Sequence, residues 1–369
     1  MNRMLRSLAA ALCAVLVLAA PAAAKRPGAI GHVFVVVLEN ENADVTFGPS
    51  SPAPYLAQTL PAQGRLLPNY YAVTHLSLGN YIALVSGQGA NPQTQADCQL
   101  YSDFAGGGVL TGPDGQALGD GCVYPTPVRT VADQLTAHGL TWKGYLEDMG
   151  NDPGRESATC GHPVLNSPDG TQTATPTDAY AARHNPFVYF HSIVDTPACA
   201  ANDVPLSRLT ADLASVRTTP NYAFITPNLC NDGHDSPCAD GRPGGLATAD
   251  EWLRTWIPKI LASPAYKRDG LLLVTFDEAE SSGANADASA CCNEAQFPNT
   301  ANNGGPVPGR GGGRVGAVVL SPFITPGTVS TTPYNHFSFL RTVEDAFGLG
   351  HLGYAGSPDP GAFGPDVLG

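Results

Sequence analysis

The segment HVFVVVLENENADVTFG, residues 32–48, passes from an unbroken apolar run into a carboxylate and an amide in a single step. Val33 to Leu38 are all apolar, and four of the six are β-branched valines. Such a run suits a strand buried on both faces, which in turn needs a sheet with layers on either side. Glu39 and Asn40 then follow at the strand end, where a buried carboxylate needs a cation or a hydrogen-bond donor.

Three further runs predict buried strands: Tyr222–Ile225, Leu271–Phe276 and Val315–Leu320. Helical patterns lie between them. Thr248-Ala249-Asp250-Glu251 has capping-box spacing ahead of Trp252, Trp256 and Ile260, with Pro258 predicted to kink or end that helix. Thr130 to His138 reads as a helix stopped by Gly139. Strands alternating with helices predict an α/β fold with a mainly parallel central sheet and helices on both faces. Residues 150–180 and 283–314 are rich in Gly, Pro, Asn, Ser and Thr and read as long surface loops.

Arg3 and Arg6 precede an apolar stretch from Leu8 to Ala20, and Ala22-Ala23-Ala24 follows. This predicts a secretory signal peptide over residues 1–24, with a single domain over 25–369 and export to the periplasm or outside the cell. No second apolar run has membrane length. Loss of Arg3 and Arg6 lowers Lys+Arg from 19 to 17 against 32 Asp+Glu, a formal charge of −15. That excludes nucleic-acid binding through bulk charge, while an anionic substrate remains compatible if a metal reverses the sign locally. Eight of the nine cysteines lie beyond the leader, an even number that predicts disulfide-stapled loops in an exported chain. Cys98 with Cys122 and Cys230 with Cys238 are the preferred near-neighbour pairs. Cys230, His234 and Cys238 also have spacing compatible with structural zinc, though only three ligands are evident.

Three of the four predicted strands deliver chemistry at their C-terminal ends: Glu39-Asn40, then TPNLCNDGHD (226–235), then Asp277-Glu278. That edge is where open α/β sheets bind ligands. In THLSLGNYIALVSG (74–87), Ser77 stands just before a short apolar helix that Gly87 can terminate. A hydroxyl there is a helix cap in isolation, but beside a metal it becomes a nucleophile. Asn80 is placed to donate to a phosphate oxygen, with the helix N-terminus offering free N–H groups. His336 precedes an amphipathic helix carrying Leu340, Val343 and Phe347. His184-Asn185 in RHNPFVYF is polar within an aromatic stretch. His32, His75, His138, His162, His191 and His351 receive no role.

These blocks, together with GGRVGAVVLSPFITPG (312–327) and NHFSFLRTVEDAFGL (335–349), occur in the order found in the bacterial phosphoesterase family. That family includes phospholipases C and secreted acid phosphatases within the alkaline phosphatase superfamily, and the resemblance spans residues 30–350. It implies an alkaline phosphatase-like fold and phosphoester hydrolysis through Ser77 and a phosphoseryl intermediate. It also implies metal ligation by Glu39, Asp277, Glu278 and Asp232, with catalytic assistance from His234 and His336. Asn40, Asn80, His184 and Asn185 are implied as substrate contacts. The implied cofactor is one or more divalent metal ions, with zinc, calcium, magnesium and iron all compatible. The implied substrate is a phosphate-ester small molecule, or a phosphoinositide or phospholipid head group. Glu41 stands where the phospholipase branch often has His, which favours a phosphomonoesterase. Gly79 stands where the family often has Pro. The alternatives are a phospholipase C-type phosphodiesterase and an exported metal- or glycan-binding protein without catalysis. A binding protein has no need of a nucleophile.

Overall fold

The structure is a computed structural model that describes residues 30–106, 115–359 and 361–369. The predicted signal peptide lies outside the described residues. Eight strands form the central sheet: β1 (His32–Leu38), β2 (Arg65–Leu67), β3 (Trp142–Leu146), β4 (Asp203–Pro205), β5 (Tyr222–Thr226), β6 (Gly270–Phe276), β7 (Ala317–Leu320) and β8 (Thr328–Val329). Their spatial order is β8-β2-β7-β6-β1-β5-β3-β4. Only β7 runs against its neighbours, pairing antiparallel with β6 and β2. The four apolar runs thus become strands, with the last beginning at Ala317. The shorter strands β2, β3, β4 and β8 lack an apolar run long enough to announce them.

Every residue of β1 and β6 is buried, so both faces of the sheet centre are covered. Val33 to Leu38 are fully inaccessible, each side chain contributing about 1.5–3 kcal/mol by leaving water. Register then carries this packing into function. β1 pairs in parallel with β6 from His32↔Gly270 to Leu38↔Phe276, so Glu39 and Asp277 emerge side by side. The Asp277 N–H closes the join by donating to Leu38 O at 2.8 Å.

Helix α1 (Ser77–Ser86) is buried along its whole length and stops at Gly87, whose φ of +66° is left-handed. A Cβ at Gly87 would lie 2.2 Å from Leu352 O, so glycine is required by space as well as by backbone. Helix α2 (Val131–Ala137) starts at Thr130 with a capping box closed by Asp133. Helix α3 (Gly245–Ala262) begins earlier than the capping-box spacing suggests. Thr248 lies inside it, its hydroxyl donating to Gly244 O at 3.0 Å. Asp250 instead accepts from the backbone N–H groups of Tyr55 and Leu56 at 3.2 and 2.8 Å. Pro258 sits inside α3 without ending it. Helix α4 (His336–Phe347) opens on a capping box formed by Asn335 and Ser338.

Four disulfides staple the loops: Cys98–Cys122, Cys160–Cys199, Cys230–Cys238 and Cys291–Cys292. Both preferred pairs are present, and the Cys230–Cys238 bond removes the zinc alternative there. Among the described residues, no helix is long and apolar enough to cross a membrane.

Candidate active site

The C-terminal ends of β1, β5 and β6 meet the N-terminus of α1 at one buried acidic cluster. Glu39, 1% exposed, sits at its centre. The Ser77 hydroxyl donates to Glu39 Oε1 at 2.5 Å. His184 Nε2 lies 2.5 Å from the same oxygen, and His184 Nδ1 lies 3.7 Å from Asp232 Oδ2. The first of these distances is short, but its alignment is not that of a hydrogen bond, because both His184 nitrogens remain without one. Backbone hydrogen bonds fix the frame: Glu39 N–H donates to Asp232 O at 2.9 Å, and Asn40 N–H donates to Asp277 Oδ1 at 3.2 Å. Asn40 adopts φ +59°, a left-handed conformation that Asn tolerates better than most residues.

Burial raises the carboxyls of Asp232 and Asp277 well above the usual range, and the Glu39 charge adds to the effect. Burial also raises Glu278, with repulsion from Asp97 and Glu39 behind it. Burial would raise Glu39 too, but the charges of His184, Arg183 and His234 overcome it and hold Glu39 low. Burial lowers His184, with the Glu39 charge pulling it back up. His234, half exposed at the mouth, is raised to about 9, first by Asp235, whose Oδ1 lies 3.4 Å away.

A cation fits these residues. Glu39 Oε2, Asp232 Oδ2, Asp277 Oδ2 and Asn40 Oδ1 are all buried without a hydrogen-bond partner. One ligand atom from each of Glu39, His184 and Asp232 lies within 4.8 Å of the others. Buried carboxylate oxygens converging with an imidazole are a donor set for a divalent metal.

The other expected residues are placed differently. Glu278 turns to His75, whose Nδ1 contacts Glu278 Oε2 and whose Nε2 donates to Asp287 O at 3.0 Å. One Glu278 oxygen is thus engaged by His75, whereas Asp277 Oδ2 has no hydrogen-bond partner. His336 stands behind the cluster, its Nε2–H donating to Asp277 O at 2.6 Å while the Tyr70 hydroxyl donates to Nδ1 at 3.2 Å. Burial lowers His336 to about 4, so it is neutral. Asn80 spends its amide on the loop before α1: Oδ1 accepts from Val73 and Thr74 N–H, and Nδ2 donates to Thr74 O. Asn185 Nδ2 donates to Asp203 Oδ2 at 2.7 Å and to the Tyr180 hydroxyl at 3.0 Å, away from Ser77. Gly79 lets α1 close on this loop, since a Cβ there would lie 2.5 Å from Thr74 Cγ2.

Asp97 and Arg183 carry no sequence signal of their own, yet both join the site. Asp97 Oδ1 accepts from Leu78 N–H at 3.0 Å, so one of the helix N–H groups expected to be free is already capped. Arg183 Nε lies 3.8 Å from Asp97 Oδ2. Its buried guanidinium feels Glu39, Asp97 and Asp232, which together raise its pKa despite burial. Tyr81 stacks on His184 with centroids 5.1 Å apart and planes 9° from parallel, holding the imidazole in place.

Fold and site together define an α/β protein with an acidic, cation-ready centre at the strand C-termini, facing a hydroxyl at a helix start. Residues 50–350 match the Phosphoesterase family, and the chain belongs to it. It is 28% identical to an acid phosphatase of Aspergillus fumigatus over 294 residues, 80% of this chain and 51% of that one. It is 26% identical to a phosphatidylinositol-3-phosphatase of Mycobacterium tuberculosis over 329 residues, 89% of this chain and 81% of that one. The chain spans 51–60% of the length of three fungal phosphatase relatives. A Vibrio parahaemolyticus protein described as in the alkaline phosphatase superfamily superposes with TM-score 0.48 at 13% identity, covering 87% of this chain and 67% of that one.

Proposed function

We propose that this chain is an exported, metal-dependent phosphomonoesterase of the acid phosphatase type, with Ser77 as nucleophile. The observation that carries the reading is the Ser77 hydroxyl donating to Glu39 Oε1 among carboxylate oxygens that have no other partner. Glu39, Asp232, Asp277 and His184 would hold the cation. A bound divalent ion supplies charge neutralisation at phosphoryl oxygens and favours the ionised serine.

Within this reading, Ser77 gives up its proton to water, its Oγ attacks phosphorus, and the P–O bond to the leaving group breaks, with Glu39 orienting the hydroxyl. His234, protonated at neutral pH, donates a proton to the departing oxygen at the mouth. Water then cleaves the phosphoserine and restores Ser77. Arg183 adds positive charge near the phosphoryl group, and Asp97 orients it. The four disulfides, the predicted leader and the acidic composition support export. A monoester dianion gains more from a cationic centre than a diester monoanion does. The test is hydrolysis of p-nitrophenyl phosphate against p-nitrophenylphosphorylcholine by the purified protein supplied with divalent metal. A higher kcat/KM on the monoester is expected. Preference for the choline diester makes the protein a phospholipase C-type enzyme, and no hydrolysis of either overturns the enzymatic reading.

A further inference from the structure

A second cavity lies away from the acidic cluster, beyond the far end of α1. Its volume is about 260 Å³, and its walls include Glu294, Phe297, Phe337, Tyr354 and Asp359. The three aromatic rings form one set: Phe297 and Tyr354 stack at 5.5 Å, Phe337 meets Phe297 edge-on at 6.2 Å, and Phe337 tilts on Tyr354 at 5.3 Å. Against them stands Glu294, 7% exposed. Asn335 Nδ2 donates to its Oε1, while its Oε2 is buried with no hydrogen-bond partner. Asp359 adds a second carboxylate at the exposed rim, where its Oδ2 accepts from Asn293 Nδ2 at 3.3 Å.

An unpartnered buried acceptor is costly, about 1–3 kcal/mol, and native proteins rarely keep one without use. Aromatic faces with carboxylates nearby favour positive charge over a neutral guest. Burial pushes the Glu294 carboxyl up to about 8, with Asn335 and Arg310 pulling it back, so the carboxylate that would accept from an ammonium is present above that pH. The size admits a small ligand rather than a drug-sized one.

We propose that this cavity is a binding site for a small protonated alkylamine, whose N–H donates to Glu294 Oε2 while its alkyl part lies against Phe297, Phe337 and Tyr354. The ammonium supplies the donor that Oε2 lacks, and the rings contribute contact and cation–π attraction. Asn335, the N-cap residue of α4, holds Glu294 from behind and fixes the direction of the carboxyl.

The experiment titrates the full-length protein at about pH 9, where Glu294 is ionised and an alkylamine is still protonated, with n-butylammonium, tetramethylammonium and 1-butanol, read by calorimetry and by NMR. Saturable binding of n-butylammonium is expected, with NOEs from its methylene protons to the Phe297 and Phe337 rings. Tetramethylammonium, which has no N–H, and neutral 1-butanol should each bind at least about tenfold more weakly. Glu294→Gln should lose about tenfold for n-butylammonium, whereas Ser77→Ala should bind it as the wild type does. Equal affinity for 1-butanol overturns the proposal, as does binding that disappears in Ser77→Ala, which would place the amine at the acidic cluster. Should Glu294→Gln fail to fold, the wild-type NOEs decide: contacts to those rings support the site, and saturable binding without them, or no saturation, refutes it.

Discussion

Stripping the metal should make the protein increasingly unstable as pH rises, and restoring it should remove that trend. In metal-free protein Asp232, Asp277 and Glu278 have folded pKa values above their unfolded ones. The folded state therefore holds more protons than the unfolded state, and stability falls as pH rises above about 4. Glu39 has the opposite shift, so its contribution is complete above its unfolded value and flat from pH 5 to 8. His184, lowered by burial, loses its contribution only as pH falls below about 6.5. His234, raised to about 9, contributes below its unfolded value and loses that contribution as pH climbs. A bound cation drives protons off Asp232 and Asp277, the raised carboxyls that would hold it, so the stability gap between loaded and stripped protein must widen with pH. Each proton held only by the stripped form is worth about 1.4 kcal/mol per pH unit. For a 369-residue chain, at roughly 2.1 cal/mol/K of unfolding entropy per residue, this is about 2 °C in Tm per pH unit for one proton and about 4 °C for two. Other buried acids, such as Asp203 and Glu344, shift both forms alike and cancel in the difference. The assay is paired thermal melts from pH 5 to 8, with and without prolonged chelation and divalent-ion readdition. A Tm difference that is absent, or constant across this range, refutes the metal site.

Ser77→Ala should reduce kcat by about three orders of magnitude or more, with Tm within a few degrees of wild type. Ser86→Ala, which removes a hydroxyl that donates to Ile82 O and accepts from Gln88 N–H at the far end of α1, should stay within about threefold; steady-state kinetics on p-nitrophenyl phosphate separates the two. Asp250→Ala removes an acceptor shared by Tyr55 and Leu56 N–H and should cost about 2–4 kcal/mol in urea unfolding. Asp97→Asn should raise KM for p-nitrophenyl phosphate more than it lowers kcat, because it loosens Arg183 without touching Ser77.

The strongest local signals in the sequence carried the fold centre. The apolar runs at residues 33–38 and 271–276 can be satisfied only by burial on both faces, so they became β1 and β6, the adjacent central strands. With parallel strands established, Glu39, Asp232 and Asp277 had to fall at one edge, because a parallel sheet collects all its C-terminal ends there. Gly87 and Gly139, at φ +66° and +72°, were legible for the same reason: each satisfies a backbone requirement within a few residues. The helix around Thr248 was misplaced at its start because capping-box spacing also arises inside a helix, where the Thr248 hydroxyl bonds back to Gly244. Which side chains turn into the site was decided only in three dimensions. Asp277 and Glu278 are indistinguishable as neighbours in sequence, yet one faces Ser77 and Glu39 and the other is held by His75. Arg183 and Asp97 are single charges 86 positions apart in the chain; their pairing beside α1 exists only because the fold buries both at the same place. His336 illustrates the same division. Its place at a helix start is local, but its neutral state and its grip on the Asp277 carbonyl depend on a core assembled from distant segments.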